Sequence, residues 1–305
     1  MEKIYYQTLK ETLFHEKLEN GLEVYLLPKV GFEKTYGLFS TNFGSIDTTF
    51  VPLGQKEMIK VEDGIAHFLE HKMFDMKDGD AADKFAKLGA SSNAFTSSSR
   101  TAYLFSTTTN ENACVELLLN FVQSLDITDE SVEKEKGIIC QEIKMYDDYP
   151  EWKVYLNALE AMYHSNAVKL DITGTVETIS KIDKEILYKC YNTFYNPGNM
   201  CLVVCGDFVP EELLKEIEKR LIDKQDSGEI KRIYEKEEKT IVKREVEERM
   251  DVSMPLFTIG IKLEPESNIK KVKKHIAIDI LLNMLIGESS ELYQNLYKNG
   301  EVFSV

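Results

Sequence analysis

Hydrophobic and polar positions follow two periods along this chain, and each change of period marks an element. The stretch KLENGLEVYLLPKVGFEKTYGLFSTNFGSID, from Lys17 to Asp47, reads as strand, turn, strand. Asn20-Gly21 is a hairpin-type pair, and Val24, Leu26 and the run from Tyr36 to Phe43 favour extended backbone. A loop fills 48–60. Helical spacing then takes over, with Ile65, Phe68, Leu69 and Met73 on the apolar positions of a helix expected over 61–76 and Asp63 near its start. A short helix over 80–88 stops at Gly89. The run 91–109, rich in Ser, Thr, Tyr and Phe, predicts a long strand or a strand pair.

Helices follow over 112–125, 129–147 (capped by Thr128 or Asp129), 151–163 and 183–194. Trp152 and the apolar positions up to Tyr163 suit a core-facing helix. A strand is expected over 200–208, and Pro210 opens another helix. From Glu211 to Arg249 Lys and Glu dominate, as in a helix followed by a solvated linker. At Val252 the apolar pattern returns, with VSMPLFTIGIKL as a strand and 268–285 as a helix. That order repeats the strand and helix of 36–76 and hints at a second copy of one domain. The expected division is 1–215, a charged linker over 216–250, and 251–305 as the beginning of a second domain. A domain of that last length is too short to be complete, so the chain reads as part of a longer protein.

Composition narrows the class. The chain has 305 residues, 43% hydrophobic and 29% charged, enough to bury a real core. A net charge of -15 repels phosphate backbones and argues against nucleic acid as a partner. The N-terminus has no apolar signal region, and no stretch has the roughly 20 apolar residues of a membrane span. Five widely spaced cysteines read as small buried residues of a reducing compartment, which places the protein in the cytosol.

The chemistry concentrates in GIAHFLEHKMFD, residues 64–75. On a helix, His67 and His71 lie one turn apart on one face and can aim both imidazoles at one ion. Glu70 is offset on the same side, placed to take a proton from a zinc-activated water attacking a carbonyl. A chain with five histidines and 52 acidic residues holds such a triplet by chance about once in a hundred. A catalytic zinc needs a third protein ligand. The helix EKEKGIICQEIKMYDD offers Glu135 and Glu142, seven residues apart on one face with Ile138, Ile139 and Ile143. Burial of that face would carry both carboxylates inward; a solvated charge run beside Glu133, Lys134 and Lys136 is the other reading. His164 reads as a surface or helix-end residue, and His15 and His275 as ordinary surface residues with no acidic or cysteine cluster beside them in sequence. The chain has no phosphate-binding glycine loop, and Ser97, Ser98 and Ser99 lack the setting of a serine nucleophile.

HFLEHKMF, then NAFTSSSRTAYLF, then EKEKGIICQEI resembles the pitrilysin, insulysin and mitochondrial processing peptidase family of zinc metallopeptidases, whose signature is H-x-x-E-H. DITGTVETI and YNPGNMCLVVCGDF extend the likeness, which runs from about residue 15 to 210 and resumes near 250. The small bacterial, processing-peptidase-like branch is the nearest in flavour. The resemblance implies an α+β fold, a mostly antiparallel sheet with helices on one side, present as one full repeat and the start of a second. It implies a zinc ion on His67, His71 and Glu142, Glu70 as general base, and Glu135 as a supporting carboxylate. Asn93, Ala94 and Phe95 match the edge strand to which an extended peptide substrate adds. The interval from His71 to Glu142 is somewhat shorter than is usual in the family. An Arg-Tyr pair that the family supplies from its second repeat would lie beyond Val305. A zinc endopeptidase acting on unfolded peptides is therefore expected, as a homodimer or paired with a related subunit. The other reading is a non-catalytic peptide-binding or scaffolding subunit of such a pair.

Overall fold

A computed structural model describes residues 1–222, 224 and 228–302. Met1–Gly260 forms one compact unit and Ile261–Val305 a second. The strands of the first unit are β1 (Glu2–Tyr6), β2 (Glu11–Lys17), β3 (Glu23–Pro28), β4 (Thr35–Thr41), the short pairs β5 (Thr49–Phe50) with β6 (Ile59–Lys60) and β7 (Asp75–Met76) with β8 (Gly79–Asp80), then β9 (Ser91–Thr96), β10 (Thr101–Thr107) and β11 (Met200–Gly206). Its helices are α1 (Ile65–Met73), α2 (Ala81–Lys87), α3 (Glu111–Val122), α4 (Asp129–Asp147), α5 (Pro150–Met162), α6 (Val176–Lys181), α7 (Lys184–Phe194) and α8 (Pro210–Arg220).

Seven strands form one sheet in the order β1-β2-β3-β11-β4-β10-β9. Every neighbouring pair is antiparallel except β3 with β11. β2 and β3 form the hairpin expected at Asn20-Gly21, where Gly21 takes φ 91. Along β4, Thr35, Gly37, Phe39 and Thr41 are buried while the alternate residues are not, so one face carries the core. Phe39 and Phe105 of that face meet Phe68 of α1, Phe85 of α2 and Phe121 of α3 in one cluster, each at most 1% exposed. Helices on one side of a mostly antiparallel sheet are the α+β architecture expected from the sequence. β9 closes the order and pairs only with β10, so its outer edge is unpaired among the described residues.

Several local expectations change. The helix expected over 61–76 is trimmed to Ile65–Met73 because Gly64, with φ 88, sets its start and Asp75–Met76 turns back as β7. The 91–109 run is a strand pair with its turn at 97–100. No strand forms over 252–263: the apolar alternation is there, but among the described residues no strand lies beside it to take its backbone hydrogen bonds. α5 has no fully buried residue, because it packs on α4 and a short turn at Ala167–Lys169, one layer outside the core. Cys201 and Cys205 are half-buried, since β11 turns Met200, Leu202 and Val204 into the core instead. His15 is not isolated: Glu23 accepts from its Nε2 at 2.5 Å and its ring stacks on Tyr25.

The charged segment 228–250 is mostly exposed, yet pinned to the rest of the first unit at several points, among them backbone hydrogen bonds of Ile233 to Thr49 and of Val242 and Lys243 to Ala161. Arg232 and Tyr234 engage buried Asp47, and Glu237 accepts the backbone N–H groups of His164, Ser165 and Asn166. In the second unit α9 (Asn268–Ile286) and α10 (Glu291–Lys298) pack on each other. Ile269, Val272, Ile276, Ile280 and Met284 of α9 remain exposed.

Candidate metal centre

The site is built where α1 meets α4. Gly64 and Gly174 fix the start of α1. Each has a positive φ, and a Cβ on either would lie 2.6 Å from a carbonyl oxygen of the facing segment, Thr173 O and Asp63 O respectively. Only glycine permits both the conformation and the approach. The DITGTVETI block is therefore the seat of the α1 N-terminus. α4 starts at a capping box in which Thr128 and Ser131 exchange hydrogen bonds. It buries Val132, Ile139 and Ile143 against the core and leaves Ile138 exposed. That face carries Glu135 and Glu142 toward α1.

His67, His71 and Glu142 each place one ligand-type atom within 4.8 Å of the other two. Glu142 Oε2 lies 3.7 Å from His67 Nε2 and 3.6 Å from His71 Nε2. Those separations are too long for hydrogen bonds. Ligand atoms about 2.1 Å from a tetrahedral ion sit about 3.4 Å apart, so the spacing suits atoms shared by one ion. On the far side of its ring His71 Nδ1 meets Glu135 Oε1 at 3.0 Å, which leaves Nε2 facing Glu142. His67 Nδ1 is buried with no hydrogen-bond partner among the described residues, so that ring engages polar groups through Nε2 alone. Two imidazole nitrogens and one carboxylate oxygen are a donor set that zinc accepts.

Glu70 is 8% exposed, and its Oε2 accepts from the Thr96 hydroxyl at 2.6 Å. Thr96 belongs to β9, so the same strand that ends the sheet touches this carboxylate. A cavity of about 550 Å³ adjoins this contact, lined by Glu70, His71, Asn93, Ala94 and Glu135 but not by His67 or Glu142. Phe95 is exposed and shares its strand face with Asn93, opposite Ala94 and Thr96. A larger recess of about 870 Å³, bordered by His164 and Tyr234, holds none of these groups.

Electrostatics inside the site are uneven. Burial, then the neighbouring His71, pulls His67 down to about 3, so at neutral pH its lone pair is free. Burial opposes protonation of His71 too, but its bond to Glu135 and the charges of Glu135, Glu70 and Glu142 outweigh that and raise it. Burial raises Glu70, against the Thr96 hydrogen bond. Burial and the nearby Asp171 and Glu135 charges raise Glu142. Glu135 resists burial and is lowered, held ionised by His71 and Lys72. Three carboxylates thus share a confined space with two imidazoles, and a dication would relieve their repulsion.

Of the residues singled out in the sequence, His67, Glu70, His71, Glu135 and Glu142 come together, with Asn93 and Ala94 on the adjoining cavity wall. Thr96 and Lys72 were not singled out. Thr96 shares a strand face with Ala94 two residues before it, and Lys72 falls after Phe68 and Leu69 on the helical period that faces inward.

Comparison with known proteins identifies the kin of this geometry. The description "Insulinase (Peptidase family M16)" matches residues 50–176, and "Peptidase M16 inactive domain" matches 181–305. The chain is 48% identical over 306 residues to the uncharacterized zinc protease YmfH of Bacillus subtilis, covering 99% of this chain and 72% of that relative. It belongs to peptidase family M16. The M16 likeness extends at 30% identity to an uncharacterized zinc protease of Rickettsia bellii, over 72% of this chain and 52% of the relative. Mouse mitochondrial-processing peptidase subunit beta is 26% identical over 65% of this chain and 39% of its own length. A crystal structure of an M16-like peptidase from Alicyclobacillus acidocaldarius superposes with TM-score 0.87 at 38% identity, covering 96% of this chain and 70% of that one. A protease from Helicobacter pylori shares the fold at TM-score 0.75 and 21% identity.

Proposed function

We propose that this M16 chain is a zinc-dependent endopeptidase, or the catalytic portion of one, with the ion held by His67, His71 and Glu142. The observation that carries the reading is the convergence of these three side chains at separations suited to one tetrahedral ion. Zinc, when bound there, supplies Lewis acidity that makes water a nucleophile at neutral pH. Glu70 accepts the proton released in the attack and returns it to the leaving amine; its raised affinity for protons suits both directions. Thr96 holds the carboxylate in place, and Glu135 fixes the ring of His71.

The substrate in this reading is an extended peptide segment that adds to the free edge of β9 beside Asn93, Ala94 and Phe95. Backbone pairing of that kind selects for unfolded chains more than for sequence. The partner is a second copy or a related subunit, as the relatedness to a subunit-type peptidase suggests. Among the described residues no helix is long and apolar enough to cross a membrane. The free cysteines suit a reducing cytosol, the setting we assign.

Metal analysis of the purified chain tests the reading. Native protein is expected to carry close to one zinc per chain at neutral pH and His67→Ala to lose it. Native protein without zinc sinks the proposal.

A further inference from the structure

Lys72 is the anomaly of α1. It follows the second histidine directly, is 1% exposed, and is surrounded along its own helix by the buried apolar residues Phe68, Leu69 and Met73. An ammonium group leaves water at a cost of several kcal/mol unless it is paired. Its Nζ has three partners: Asp75 of β7, the Ser131 carbonyl at 3.3 Å, and Glu135 Oε2 at 3.6 Å. Glu135 is therefore gripped from both sides, with Oε1 on His71 Nδ1 and Oε2 toward Lys72. At 3.6 Å the second contact is an ion pair rather than a hydrogen bond, and it favours the carboxylate orientation that keeps Oε1 on the imidazole. Ser131 belongs to the first turn of α4, so the same lysine also ties the start of that helix to α1.

Charge points the same way. Glu70, Glu135 and Glu142 bring three negative charges into the site. A zinc dication leaves one of them unbalanced, and Lys72, whose Nζ also pairs with Asp75, is the cation beside Glu135 on the buried side.

We infer that Lys72 is a positioning residue for the metal centre: a buried cation that locks Glu135 onto His71 and so sets the affinity of the site for zinc. The inference rests on the zinc reading of His67, His71 and Glu142. It gives an ordinary core position of α1 a specific duty, since an apolar residue there would pack as well and would leave Glu135 held on one side only.

The test is zinc affinity of the purified chain, measured by competition with a chromophoric chelator, alongside thermal unfolding of the metal-free protein. Lys72→Met is expected to weaken zinc binding about 10- to 100-fold, and Lys72→Arg to restore most of it. In a Glu135→Gln background the same Lys72→Met change is expected to alter affinity less than about twofold, because its route of action is already gone. If Lys72→Met leaves a poorly folded chain, Lys72→Gln, which keeps hydrogen-bonding capacity but not charge, takes its place with the same expectation. Unchanged affinity in the single variant, or an equal loss with and without Glu135, overturns the inference while leaving the zinc site standing. Native protein that binds no zinc overturns both.

Discussion

His67 and Glu70 are one helical turn apart on the buried side of α1, and their environments push them in opposite directions. His67 keeps a folded-state value of about 3 against 6.5 for the free side chain. Between those values the folded chain binds fewer protons there than the unfolded chain, so this group's contribution to stability is present above pH 6.5 and lost as pH falls toward 3. In protein stripped of metal, denaturant titrations of native and His67→Ala chains are expected to differ by a few kcal/mol across that window. A difference that does not change with pH contradicts the buried, neutral imidazole. Thr96 acts on the base. Its hydroxyl favours the ionised form of Glu70, so Thr96→Val is expected to raise the acid limb of the pH profile of kcat/KM and lower the rate several-fold, read with a quenched peptide. The histidines and Glu70 were legible in the sequence because helical spacing alone puts them on one face. Thr96 and Lys72 were not, because a threonine in a strand or a lysine in a helix acquires meaning only from what faces it across the fold.

At the scale of elements, two junctions hold α1 and α4 in register. The Gly64–Gly174 contact lets the chain before α1 pass against the turn before α6 without side chains between them. Gly174→Ala combines a left-handed conformation with a backbone clash, and an expected loss of about 2–4 kcal/mol of stability follows, measured by urea unfolding. The capping box at Thr128 is smaller in effect: Thr128→Ala is expected to cost about 1 kcal/mol and to leave zinc content unchanged. Helices and hairpins were readable from period and caps, and α4 matches its expected span of 129–147. The strand expected over 252–263 was not, since alternation specifies a strand only where another strand accepts its hydrogen bonds. α5 misled for a related reason: its apolar positions pack on α4 outside the core, and periodicity does not report how many layers cover a helix.

For the whole molecule, a ligand that binds only the folded state raises its stability by mass action. Zinc held at a thousandfold excess over its dissociation constant adds about 4 kcal/mol, so chelation is expected to lower Tm by roughly 10 °C. The first unit carries every group in the proposed site. The second exposes a run of apolar residues on α9. The chain spans 72% of the length of YmfH and 52% of that of the Rickettsia bellii relative. The sheet order, with β9 at its edge, could not be read from local pattern; the family resemblance placed Asn93, Ala94 and Phe95 on such an edge before any pairing was known. The central claim is that three side chains hold the ion while a fourth moves the proton. The measurement that bears on it most directly pairs zinc content with the rate of cleavage of an unfolded peptide in native and Glu70→Gln proteins. The account predicts equal zinc in both and a rate at least about a hundredfold lower in the variant. Glu70→Gln protein that keeps its zinc and cleaves at the native rate would contradict it.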